Sequence, residues 1–573
     1  MAAFGEVAAA ISLTADLFHF CVDGLRAISR AKSSNHSLID FATRLDLEIA
    51  RLVLWGRNAG LEHGSLDPSL EPVQPLLENI IGAMASSIQR ADLLKATYGL
   101  GLVEDTAGDS PSPQAQSSPS LSKLDILSIP QVSSSIQRTQ LWSSKLKKQT
   151  SLYKKAKWAV SDGEKAIGFV DVIQGYVDGL NKLLTESQKA TLDAETSALR
   201  IAILGTNWSR PVQMLSVIEN ATIGRYESLS LPARLSRLRL QMEMEEVAPS
   251  LSEGGELLSE PLQIQYDRLR SLGMDRSVAM LDNMNVLIEW RNLTAPEAGG
   301  ERGKVRAKQA ARLASIFQEL KSQPTEYRVL DCVGHIDQRD HTPPRLGIVF
   351  KVPQLSPSGI PQKQFHSLHE YLSCRDFEDF QPSLGRRFEL ARKLTRGFLQ
   401  FHQLGWLHKN IRSHNIIFFP ENEAASIESP FILGFAFSRP REAGISDPVQ
   451  VAQELELYQH PEYHGQVSEG YNLRYDIFSI GLLLFEIAKW RPLANYFTRL
   501  QRRDSEVNVK TFAAKLVESE REELEFRMGT SYTTAVIACL ENQFGVERDD
   551  RHDLSLKLAY FDKVVKPLAL CRV

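Results

Sequence analysis

The sequence predicts a multidomain chain: an N-terminal all-α helical bundle followed by an α+β domain built from two lobes. Three observations carry this expectation. Apolar residues recur at spacings of three and four through the opening segment, from Phe4 to Leu25. From Asn285 onward, short apolar runs of strand type alternate with one helical pattern at Lys304 to Lys321. A long apolar helix then follows Tyr475. With 573 residues, 43% apolar and 24% charged, the chain has ordinary globular composition and room for two to four domains. A net charge of −4 points to neither nucleic acid nor a polyanionic partner for the whole chain. Five scattered cysteines form neither a disulfide framework nor a zinc motif, which suggests a reducing compartment. No uncharged stretch reaches the roughly 18 to 20 residues a membrane helix needs, and the first residues lack the pattern of a signal peptide.

In the first segment Phe4, Ala8, Ile11, Ala15, Phe18, Val22 and Leu25 share one helix face, widened by Leu13, Leu17 and Phe20. This is either a buried core helix or a helix that enters a bilayer on release, with Phe4, Ile11, Phe18, Val22 and Leu25 as the inserting residues. Ser37-x-x-Asp40 opens a second helix running through Phe41, Leu45, Ile49, Leu52 and Trp55 toward Gly60. Pro75 is placed for the first turn of a third helix ending near Gly99 to Gly101. Residues 104–124, rich in Ser and Pro, are expected to be a disordered loop. Between Ile126 and Ser161 lie seven basic residues and no acid. Lys147 and Lys154, like Lys148 and Lys155, are seven apart and share a side of any helix. That face is a solvated surface or a contact for anionic lipid headgroups; no nucleic-acid reading motif accompanies it.

Phe4-Gly5-Glu6-Val7, Arg44-Leu45-Asp46, Leu54-Trp55-Gly56 and Lys155-Ala156-Lys157-Trp158-Ala159-Val160 together resemble the fungal HeLo domain of the HET-S prion-inhibition and propagation proteins, over roughly residues 3–205. The resemblance implies a helical bundle at 1–205 whose N-terminal helix, once released, permeabilises membrane and kills the cell. Residues 206–264 read as connecting or brace helices, centred on Leu231 to Glu246, ending in a linker at Ser250 to Glu260.

The segment 404–415 places His408, Lys409, Asn410 and Asn415 at the spacing of the protein-kinase motif H-R-D-L-x-x-x-N, with Arg412 between them. Asn410 stands where the motif has its Asp, and an amide cannot accept the substrate proton. Phe431 to Arg439 resembles the D-F-G strand and turn, with Gly434 in place of the metal-binding Asp, Phe435 kept, and Ala436 in place of the Gly. His460-Pro461-Glu462 and Tyr475 to Gly481 resemble A-P-E and the D-x-W-S-x-G helix. No G-x-G-x-x-G precedes them. The strand Asn285 to Leu293 offers Glu289, or in a shifted register Arg291, at the lysine position, and Leu313 falls near the family's helix glutamate. Strands are expected at Tyr327 to Val333 and Leu346 to Val352, with a helix from Ser367. His402, His408 and His414 recur every six residues without carboxylates or cysteines at ligand spacing, so no metal is expected.

Residues 265–573 thus resemble a degenerate protein kinase, a pseudokinase with no intact catalytic residue and no required cofactor, residual ATP–magnesium binding being the open alternative. The order of the two regions is similar to that of the mixed-lineage kinase domain-like executors of necroptosis. What this implies is a cell-death effector, cytoplasmic at rest and membrane-associated when activated. Its partners would be further copies of itself, anionic membrane lipids, and an upstream receptor or kinase. A weakly active Ser/Thr kinase and a signalling scaffold that never meets membrane are the alternatives.

Overall fold

A computed structural model of the chain describes residues 2–30, 36–61, 66–103, 157–205, 211–247, 260–263, 269–273, 275–282, 284–320, 327–353, 365–373, 380–419, 426–440, 456–463, 470–546 and 553–571. The expected loop at 104–124 and the basic residues Lys147, Lys148, Lys154 and Lys155 lie outside the described residues. The chain divides into two compact units, Met1–Arg237 and Leu238–Val573.

The first unit contains α1 (Ala2–Ser29), α2 (His36–Asn58), α3 (Gln74–Gln89), α4 (Ala91–Tyr98), α5 (Gly163–Lys182), α6 (Glu186–Gly205) and α7 (Pro211–Thr222), and α8 (Glu227–Val247) carries the chain across the boundary between units. The apolar face read from the sequence is the packed one: Phe18, Val22 and Leu25 of α1 are buried, as is Trp55 of α2. Trp55 donates Nε1–H to Leu180 O at 3.1 Å, so the one polar atom of this fully buried ring is satisfied. Close approach of α1 to α2 requires Gly56, because a Cβ there would overlap the Phe18 ring. Pro75 sits in the first turn of α3, as expected.

Two expectations need correction. The third helix is two helices, broken at Arg90, which leaves helical geometry at φ −85° and ψ 75°. The unit is also not purely α: β1 (Leu100–Val103) and β2 (Lys157–Val160) form a two-stranded antiparallel ribbon with Leu102 opposite Trp158. Gly99 turns the chain into β1 at φ +66°, a left-handed conformation glycine adopts freely.

Buried charge ties α2 to the rest of this unit. Arg51 donates to Glu48 at 2.8 Å, to Asp178 of α5 at 2.5 Å and to the Tyr226 hydroxyl at 2.7 Å. The Tyr226 hydroxyl in turn donates to Glu48. Helix α7 packs on α2 as well, and residues up to Arg237 belong to the first compact unit.

The second unit opens with five antiparallel strands, β3 (Arg270–Gly273), β4 (Arg276–Leu281), β5 (Met284–Asn292), β6 (Cys332–Gln338) and β7 (Arg345–Lys351), in the order β3-β4-β5-β7-β6. The strand expected at 327–333 is instead β6, starting at Cys332; Arg328 has φ +57° and interrupts extended backbone before it. After a short α9 (Ala295–Gly299), α10 (Glu301–Glu319) packs against β6 and β7. The segments that follow are β8 (His366–Ser367), α11 (Leu368–Ser373), α12 (Leu384–Gln403), β9 (Trp406–Leu407), β10 (Ile416–Phe418), β11 (Phe431–Ile432), β12 (Arg439–Pro440) and α13 (Leu473–Lys489). Further helices, Leu493–Arg503, Phe512–Met528 and Thr530–Leu540, surround α13. Helix α13 is buried on nearly every side, which matches its continuous apolar run.

Replacing Gly56 with Ala is expected to overpack the α1–α2 contact and cost about 1–3 kcal/mol. Hydrogen exchange of the α1 amides checks this: faster exchange in α1 with unchanged exchange in α13 is the expected pattern.

Candidate functional site

The turn after α12 is set by one buried carboxylate. Asp476, in the first turn of α13 and fully buried, accepts the backbone N–H groups of His408 at 2.7 Å and Lys409 at 2.9 Å, the Tyr471 hydroxyl at 2.7 Å, and pairs with His402 Nε2 at 3.0 Å. Burial pushes this carboxyl up, but the bond from His402 and the other donors outweigh it, and its pKa lies below the usual range. Held this way, Lys409 takes φ +66°. Its ammonium lies 5.4 Å and 5.8 Å from the ring centroids of Tyr471 and Tyr463, and burial, with Arg439 and Arg291 nearby, lowers its pKa to about 7. Burial drives His408 to about 4, so it is neutral.

The second half of the site is built around Glu289, in the middle of β5 and 2% exposed. Its Oε1 accepts Gly434 N–H at 2.7 Å and its Oε2 accepts Phe435 N–H at 3.0 Å. Arg276, directly opposite on β4, reaches the same carboxylate with Nε at 3.2 Å. Its other two nitrogens donate to His414 O at 3.1 Å and to Asn415 Oδ1. Asn415 completes the chain of bonds by donating Nδ2–H to Asn410 O at 2.6 Å. Gly434 has φ +94°, and a Cβ there would overlap Asn415 Nδ2. Phe435 anchors the turn in an aromatic column, with ring centroids 4.7 Å from Phe317, 4.9 Å from His408 and 5.3 Å from Phe401.

Of the sequence-chosen residues, the structure thus brings together His408, Asn410, Asn415, Gly434, Phe435 and Glu289. Glu289, not Arg291, faces the Gly434 turn. Arg291 and Leu313 instead line a neighbouring cleft. Arg412 is 9% exposed, and burial with Arg276 nearby lowers its pKa to about 10. The three spaced histidines do not converge: His402 serves Asp476, while His414 stacks on His369 at 3.7 Å and is pushed down to about 2 by burial. Among the described residues no group of three or more His, Cys, Asp or Glu could hold a metal ion. Sequence reasoning missed Arg276. The signal was an opposite charge facing Glu289 across a hairpin, which becomes visible only once β4 is recognised as a strand.

In the first unit Phe18, Val22 and Leu25 are core residues, and Phe4 and Ile11 lie on α1 with side chains outside the description. No helix of the described residues is long and apolar enough to cross a membrane.

Chemically, the second unit's site offers hydrogen-bond donors and committed ions. Asn410 is an amide, Gly434 has no side chain, and the Glu289 carboxylate is already bound by two N–H groups and a guanidinium. Putting Asp at position 434 is expected to destabilise the unit by more than about 2 kcal/mol, through left-handed strain and overlap with Asn415; a urea titration against the wild type measures it.

Behind the loop, Ser413 bonds to the Tyr458 hydroxyl at 2.8 Å, and Tyr458 donates to Glu486 at 2.7 Å. Burial raises the Glu486 pKa from 4.5 to about 7. The folded state therefore keeps a proton that the unfolded chain releases, and this stabilisation is lost as pH rises from about 4.5 to 7. The loss is on the order of 3 kcal/mol. Glu486→Gln should flatten that part of the pH dependence, read as the difference in denaturation midpoint between variant and wild type on the two sides of the window.

Comparison with known families agrees with the division into units. Residues 5–206 match the HeLo family, described as prion-inhibition and propagation, and residues 290–571 match a domain of unknown function, DUF7580. No curated protein matches the chain. Residues 5–206 therefore form a HeLo domain, followed in the same chain by a DUF7580 region.

Proposed function

We propose that this protein is a membrane-directed effector of cell death or incompatibility, whose HeLo bundle acts on the bilayer and whose second unit is a catalytically silent, kinase-like regulator. The HeLo match over residues 5–206 is the observation that carries the first half. The second half is supported by ordered motif positions meeting in one site. Asn410 occupies the base position, Gly434 the metal-ligand position and Glu289 the lysine position, so three separate contributions to phosphoryl transfer are missing.

The packing of α1 sets the energetics of such a device. Phe18, Val22 and Leu25 are core residues at rest, and each stabilises the bundle by roughly 1.5–3 kcal/mol through burial. Membrane engagement by this face requires α1 to leave the core, with lipid replacing protein as its apolar surroundings. A switch from mostly off to mostly on needs a trigger that discriminates between the states by about 5.5 kcal/mol. An upstream kinase or receptor, together with self-association on anionic lipid, supplies that difference in this reading, and the protein moves from cytoplasm to membrane. Because no described helix is both long and apolar enough to cross a bilayer, permeabilisation in this reading proceeds through assembled copies of α1. The same burial of Phe18, Val22 and Leu25 favours a second reading, a scaffold whose bundle stays closed.

Dye release from anionic liposomes separates the two. Residues 1–237, the first compact unit, should release dye, and the full chain should release little. A folded 1–237 fragment that leaves liposomes intact at high protein concentration would leave the scaffold as the better account.

A further inference from the structure

Polar side chains of α1 reach its neighbours along the buried face. Thr14 donates Oγ1–H to Glu78 of α3 at 2.9 Å, and Cys21 lies with Sγ 3.6 Å from Ile81 O of the same helix. Ser29, the last residue of α1, donates its hydroxyl to Asp46 of α2. Asp46 differs from the other acceptors. It is 9% exposed and sits between the buried Leu45 and Leu47. Its carboxylate accepts one hydrogen bond, from Ser29, and its Oδ2 is buried without a partner among the described residues. A carboxylate needs several donors or a bonded cation to stay ionised out of water. Arg26 of α1 and Arg30 just beyond it act on Asp46 through space, and both favour the ionised form. Among the described residues no charged group of α5, α6 or α7, the other helices packed on α2, acts on it. Burial outweighs the two arginines and the Ser29 bond, and pushes the carboxyl up from 3.8 to about 6.

We propose that Ser29 and Asp46 form a proton-operated latch on the C-terminal end of α1, closed in acid and loosened toward neutral pH. With α1 seated, the orphaned Oδ2 makes the neutral acid the better-tolerated form. With α1 unseated, Ser29 withdraws and water reaches the carboxyl, which then ionises as an ordinary aspartate does. The seated helix therefore keeps a proton that the unseated one releases. Its contribution to seating α1 is complete below about 3.8 and is lost as pH rises through about 6. His19, also on α1, acts in the opposite sense. Burial lowers its pKa against the pull of Asp16, Asp23 and the Leu61 backbone, with Arg26 adding to the lowering, so protonating it favours the unseated helix. Comparing the chain with an Asp46 variant at the same pH cancels that contribution. As a control on the release of α1 the latch rests on the function proposed above, but the latch itself is read in solution without lipid, so failure of one is distinguishable from failure of the other.

The test is hydrogen exchange of the full-length chain between pH 5 and pH 7, corrected for the intrinsic pH dependence of exchange and run where it reports the opening equilibrium. Asp46→Asn keeps an acceptor for Ser29 and carries no charge. Protection at the C-terminal end of α1 in the wild type, divided by that in Asp46→Asn, should fall about tenfold from pH 5 to pH 7, as the shift to about 6 requires. Ser29→Ala deletes the one hydrogen bond that holds the carboxyl down, so its loss of protection should extend to higher pH than in the wild type. Exchange in α13 should be the same in all three proteins at each pH. If Asp46→Asn does not fold, the comparison of Ser29→Ala with the wild type decides alone. A ratio of wild type to Asp46→Asn that stays constant from pH 5 to pH 7, or a Ser29→Ala profile with the same midpoint as the wild type, overturns the proposal.

Discussion

The carboxylate of Glu289 is the constraint on which the second unit depends. An ionised group this deeply buried survives only with full hydrogen bonding and an opposite charge. Glu289 has both: two backbone N–H groups of the Gly434 turn and the guanidinium of Arg276. The consequence is a three-way clasp, since Arg276 belongs to β4, Glu289 to β5, and the accepting groups His414 O and Asn415 Oδ1 to the loop before β10. Removing one partner would leave a buried charge uncompensated, at a cost of about 3–5 kcal/mol. Gly434 is required by the same arrangement, because a side chain there would collide with Asn415.

In the proposed kinase-like reading, the clasp occupies the place where such a domain would hold nucleotide and metal. Arg276 puts a fixed positive charge between Glu289 and Asn415, so a cation is already built into the fold. The aromatic column through Phe317, Phe435 and His408 and the Asp476 bonds to the His408–Lys409 backbone then hold the loop in one conformation without a ligand. Under the proposed function, a domain so arranged would serve regulation rather than turnover. In the same proposal the HeLo domain, with α1 seated on Gly56, is the part of the molecule whose release would act.

How much of this was legible in the sequence follows from which forces leave a local trace. The apolar face of α1 and the continuous apolar run of α13 were readable because burial imposes a period or a composition on neighbouring residues. Asn410, Asn415, Gly434 and Phe435 were readable because their spacing follows a known motif, and Glu289 because its strand was recognised. The ribbon of Leu100–Val103 with Lys157–Val160 left no such trace: its strands are short and far apart in sequence, and each looks like the end of a helix or the approach to one. Arg276 was missed for a related reason. Its role depends on a cross-strand partner and a loop some 139 residues away, and long-range pairing has no local signature. Arg291 lies two residues along the same strand and keeps the face of Glu289, so both line the cleft beside α10, while Glu289 is the one that binds the Gly434 turn.

The most direct measurement is the affinity of the full-length protein for ATP with magnesium, by titration calorimetry, alongside an Arg276→Met, Glu289→Met double variant that removes the internal ion pair together. The account predicts no detectable binding by the wild type at millimolar nucleotide, with the double variant still folded because both charges leave at once. Micromolar magnesium-dependent binding by the wild type would contradict it, since magnesium and the nucleotide phosphates would have to displace the Arg276–Glu289–Asn415 clasp.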